Sequence, residues 1–67
     1  MPERKKIVIK ELSDHVTALT NLKGYSYIER QIVCRDVQAY ETWSSIAKKL
    51  SHAIDAVEAA LKHAEKL

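Results

Sequence analysis

Lys23, Tyr25, Tyr27 and Arg30 fall within eight residues of one another, and Arg35 follows shortly after. Aromatic faces interleaved with cations suit one chemistry above others: rings stack on a nucleobase while the cations meet its phosphates. These five residues are the candidate ligand-binding set. Tyr40 and Trp43 lie further along, at positions that better suit a packed core. Other chemistries find less support. His52 and His63 are eleven residues apart, about 16 Å along a helix, and His15 is remote from both. No ligand pair has zinc spacing. Cys34 has cationic neighbours in Arg30 and Arg35 but no histidine nearby to serve as its base, so it reads as a small, partly buried hydrophobe. No catalytic motif stands out. The expectation is a protein that is not an enzyme, with no cofactor and no metal.

The elements that would position these groups follow from punctuation and periodicity. Glycine and proline are the strongest breakers of regular structure. The chain has one of each, Pro2 at its start and Gly24 inside, and neither recurs after Gly24. The expected architecture is therefore two segments hinged at Gly24. In the first, Ile9, Leu12, Val16, Leu19 and Leu22 step by three or four, which is one face of a helix. Gly24 then stands where a left-handed helix-ending residue is wanted. A β reading competes, with Lys6 to Lys10 as a strand and residues 21–24 as a hairpin turn.

The second segment starts from Ser26-Tyr27-Ile28-Glu29, which has the form of a capping box. A seven-residue frame then runs to the end. Val33, Tyr40, Ala47, Ile54 and Leu61 fill one column. Trp43, Leu50, Val57 and Ala64 fill a second, broken only by Asp36. Ile32, Ala39, Ile46, Ala53, Ala60 and Leu67 fill a third. Three apolar columns of seven suit packing against two neighbours rather than one. A hinge at Gly24 makes the arms unequal, roughly 30 Å and 60 Å. The shorter arm would leave the far stripe bare, and each leucine-sized side chain left exposed forgoes about 1.5–3 kcal/mol. A second copy is the expected cover, with Ile46, Leu50, Ile54, Val57 and Leu61 at the oligomer interface. The fold expectation is thus all-α: a helical hairpin with a long C-terminal amphipathic helix, completed by homo-oligomerisation. An N-terminal β-ribbon or small sheet with a long helix is the alternative.

Composition bounds the rest. Sixty-seven residues allow one small domain, near the lower size for folding alone. Apolar residues at 46% and charged residues at 30% mark a folding chain rather than a disordered one. Apolar runs such as Ile7-Val8-Ile9 are far too short to span a membrane. One cysteine and no visible targeting segment suit a reducing, cytoplasmic setting. A net charge of +2 does not by itself announce a nucleic-acid binder.

Two stretches resemble one family. Lys49-Leu50-Ser51-His52-Ala53-Ile54, ending in Ala59-Ala60-Leu61, with Trp43 and Ile46-Ala47-Lys48 before it, is similar to the C-terminal helix of the hairpin domain of phage anti-CBASS and anti-Thoeris proteins. Ile9-Lys10-Glu11-Leu12, with Val16 and Leu19, resembles the preceding helix. The resemblance covers about half the chain, and it implies a small helical oligomer that sequesters cyclic nucleotide immune signals without cleaving them. The segment over residues 25–42 is longer than that family leads one to expect. A second resemblance belongs to the β alternative. With Lys6, Val8 and Lys10 on a strand, and Gly24-Tyr25-Ser26 followed by Glu29, the chain looks like a dimeric ribbon-helix-helix DNA-binding regulator or antitoxin. A small inhibitor acting by protein–protein contact is the third functional expectation.

Overall fold

The computed structural model describes residues 2–67; Met1 lies outside the described residues. Two helices make up the chain, α1 (Pro2–Ile32) and α2 (Val37–Glu65). Helix accounts for 91% of the described residues, and no strand occurs among them. Residues 6–10 belong to α1, so the ribbon reading loses the strand on which it depends.

The hinge is not at Gly24. α1 passes straight through that residue and ends eight residues later. The glycine has no positive φ, and a Cβ built on it would meet nothing within 4 Å. A glycine inside a helix costs about 1 kcal/mol relative to alanine, which weakens a helix without ending it. Ser26 does not open a second helix either. It sits within α1, only 1% exposed, and its hydroxyl donates to the Leu22 carbonyl at 3.0 Å. Thr17 and Thr20 donate in the same way to Ser13 and Val16, at 3.2 and 2.7 Å. Such back-bonding satisfies hydroxyls that would otherwise compete with the helix.

The chain reverses over Val33–Asp36. The Asp36 amide donates to the Val33 carbonyl at 2.9 Å. Asp36 then caps α2: its backbone is extended, with φ −97° and ψ 101°, and its carboxylate accepts from the Ala39 amide at 3.1 Å. An acidic N-cap also complements the positive end of the helix dipole. No described residue has a positive φ, which is why this turn forms without glycine.

Moving the hinge changes the packing. The arms hold 31 and 29 residues, about 46 and 44 Å long, and the molecule measures 53 × 14 × 10 Å. α1 therefore covers α2 along its whole length, and the single long arm with a bare far stripe is not observed. The residues that lose exposure on α1 include Ile9, Leu12, Val16, Leu19, Lys23, Ser26 and Arg30, and Val33 continues the row just past its end. Those on α2 include Trp43, Ala47, Leu50, Ile54, Val57, Leu61 and Ala64. Both sets alternate steps of three and four, the 3.5-residue spacing of a coiled-coil seam. The seam is thin: among the described residues, the buried apolar ones are Ala47 and Ala64.

Candidate functional site

The structure sorts the five candidate ligand residues by the face of α1 that carries them. Lys23, Tyr27 and Arg30 are spaced by four and three residues and therefore share one face. Arg30 places its guanidinium carbon 4.9 Å from the centre of the Tyr27 ring and 5.3 Å from that of Tyr40, which reaches in from the first turn of α2. The cation is thus held between two phenol rings, one from each helix. Both distances lie within the range of a favourable cation–π contact. Both rings keep substantial exposed surface, at 41% for Tyr27 and 37% for Tyr40.

The polar seam around this cluster is incompletely satisfied. Arg30 Nε and Ser44 Oγ are both buried and have no hydrogen-bond partner in the protein. Each such group costs about 1–3 kcal/mol, so this end of the seam is held less firmly than the leucine-lined end. Lys23 is half-buried on the same face, two turns from Arg30.

Tyr25 and Arg35 are not brought to this cluster. Tyr25 is two residues from Tyr27, a rotation of roughly 200° around the helix. It stands 65% exposed and lines a different feature, a groove of about 570 Å³ shared with Leu22, Ser26, Glu29, Trp43, Ile46 and Leu50. Arg35 lies exposed in the turn, beside the exposed Cys34.

The five expected interface residues are also divided. Ile54, Val57 and Leu61 are half-buried within the hairpin's own seam. Ile46 remains exposed, and Leu50 lies at the seam's edge. Together these two line both the first groove and a neighbouring one of about 460 Å³ that extends past Thr42, Ser45, Lys49 and Ala53. The far-end stripe, expected to be bare, is covered from within the chain. The open apolar surface lies instead on one flank.

Tyr40 is the cluster residue that sequence reasoning assigned to the core. Its signal is an aromatic ten residues after an arginine, which acquires meaning only once the hinge is placed between them. Lys6 and Lys10 are exposed on α1, and Lys10 makes an ion pair with Asp14 at 3.5 Å, a surface contact of small energetic weight. Among the described residues, no group of three His, Cys, Asp or Glu side chains gathers closely enough to hold a metal ion, and no helix is long and apolar enough to cross a membrane.

Comparison of the chain with protein-family models, with curated proteins and with solved structures finds no match.

Proposed function

We propose that this protein is a non-enzymatic binding protein that works as a homo-oligomer and sequesters a nucleotide ligand at the Tyr27–Arg30–Tyr40 cluster. The observation that carries the reading is the arginine held between two half-open tyrosine faces. The rings fix the guanidinium, so little side-chain entropy remains to be lost when its terminal N–H groups meet a phosphate. Their outer faces are free to stack on a base, each stack being worth about 1–3 kcal/mol. Lys23 adds a second cation on the same face. The resemblance to the phage hairpin-domain sponges extends this to a cyclic nucleotide signal, captured in the host cytoplasm as a counter-defence.

The test is calorimetric titration of the purified protein with a panel of cyclic mono- and dinucleotides, with duplex DNA as the competing ligand. A cyclic nucleotide should bind and be recovered chemically intact after the protein is heat-denatured. Tyr27→Ala combined with Arg30→Ala should weaken binding by a hundredfold or more, about 3 kcal/mol, with helix content unchanged. Wild-type affinity in that double variant places the site elsewhere. Recovery of a cleaved ligand overturns the non-enzymatic reading, and binding to DNA alone overturns the nucleotide reading.

A further inference from the structure

The apolar surface of α1 changes side along its length. From Ile9 to Leu19 it faces α2. Beyond Leu19 the seam positions are Lys23, Ser26 and Arg30, and the large apolar residues turn outward: Leu22 is 52% exposed, Tyr25 65% and Ile32 69%. On α2 the seam consumes two of the three apolar columns. The third, which carries Ile46 and Ala53, is left beside it. Leu22, Tyr25, Ile46 and Leu50 meet in one groove, so the outward face of α1 and the spare column of α2 form a single apolar flank. Around the helices from it, the other flank carries Ser13, Thr20 and Tyr27 on α1 and Val37, Ser51 and Glu58 on α2, so it is the more polar of the two although Tyr27 and Val37 stand open on it.

We propose that the apolar flank pairs with the same flank of a second copy, about a two-fold axis across the helices, to form a four-helix bundle whose central layer is Leu22, Tyr25, Ile46 and Leu50. The inference rests on the reading that the chain is a homo-oligomer, and it names the surface that makes it one. The elongated shape leaves area enough for the pairing. A compact monomer of 7.6 kDa exposes about 4,300 Å², whereas this chain exposes 5389 Å². The excess, about 1,100 Å², is comparable to the roughly 800 Å² that each partner covers in a stable complex.

The core argues for a permanent partner, and hence for another copy. The hairpin's seam is thin: most of its apolar side chains are only half-buried, and among the described residues the fully buried apolar ones are Ala47 and Ala64, in a chain of 67 residues near the lower size for folding alone. An occasional partner would leave that thin seam unsupported between encounters. A second copy is made whenever the first is. The flank is also self-complementary. Glu29 borders it at the turn end and Lys49 borders the adjoining groove towards the other end. A perpendicular two-fold axis brings unlike ends together, as an isologous contact requires. The pairing leaves Tyr27 open, because it points away from Tyr25.

Sedimentation equilibrium and urea denaturation, each at several protein concentrations, test the proposal. The wild-type chain should be a dimer whose unfolding midpoint rises with concentration. Leu22→Glu with Ile46→Glu should raise the dimer dissociation constant by a hundredfold or more. Ser13→Glu with Thr20→Glu, on the polar flank, should leave it unchanged. If the first double variant loses its helix, the milder Ile46→Ser should raise the dissociation constant measurably and regain full helix as protein concentration is increased. Wild-type dimer affinity in the apolar-flank variants overturns the surface and leaves self-association standing. A folded wild-type monomer with a concentration-independent midpoint overturns both.

Discussion

Replacing Gly24 with alanine separates the observed hinge from the one that its position in the sequence suggests, because the two predict opposite signs. In the structure Gly24 lies inside α1 with ordinary helical backbone, and an added Cβ meets open space. The substitution therefore adds no clash and removes the conformational entropy that glycine loses on folding, a gain of about 0.5–1 kcal/mol per chain. For a chain of this length the unfolding entropy near the midpoint is about 140 cal/mol/K, so the melting temperature should rise by roughly 4–7 °C. Had the chain turned at Gly24 with a left-handed glycine, alanine would cost about 1–2 kcal/mol instead. Far-ultraviolet circular dichroism during urea titration reads the difference at fixed protein concentration, where association shifts both proteins equally. A lower midpoint with an unchanged slope would refute the continuous α1 and with it the placement of every seam residue.

Asp36→Ala removes the carboxylate that accepts from the Ala39 amide; a loss of about 1 kcal/mol is expected by denaturant titration, largely restored by Asp36→Ser. Tyr40→Ala should weaken nucleotide binding roughly tenfold or more in the calorimetric titration, since it removes one of the two rings holding Arg30; unchanged affinity would confine the cluster to α1. Leu50→Asp places a charge where the seam and the apolar flank meet and should abolish most of the helical circular dichroism signal, whereas Lys48→Asp on the exposed face should not. The wild-type spectrum itself should show well over two-thirds helix; a value near one-half would favour a sheet at the N-terminus.

Periodicity alone made much of the architecture legible. The three-and-four spacing of Ile9 to Leu19 and the columns from Trp43 to Leu61 each specify a helix with an apolar face, because side chains recur on one side every 3.6 residues. The third column, which the turn cuts between Ile32 and Ala39, leaves Ile46 exposed beside the hairpin's own seam. Asp36 was visible as the one interruption of the second column, and it proves to be the N-cap. What periodicity does not carry is where the chain reverses. A glycine that ends a helix and one that sits inside it look the same in a sequence, as do a serine that caps and one that bonds back to its own helix.

Tertiary packing made that choice, and magnitudes show why. Reversal at Val33–Asp36 sets Leu19 level with Leu50 and Ile9 level with Leu61, so the apolar residues of each arm lie against the other. Reversal at Gly24 would leave several of them bare, each worth about 1.5–3 kcal/mol, to avoid a glycine in a helix that costs about 1 kcal/mol. The same decision brought Tyr40 to Arg30, sent Ile54, Val57 and Leu61 into the seam, and turned Leu22 and Tyr25 outward. Local residue types thus favoured helix, with a β alternative left open at residues 6–10 and 21–24, and fixed which residues share a face within each arm. Only burial summed over both arms decided which face meets which, because that energy belongs to pairs of residues far apart in the chain.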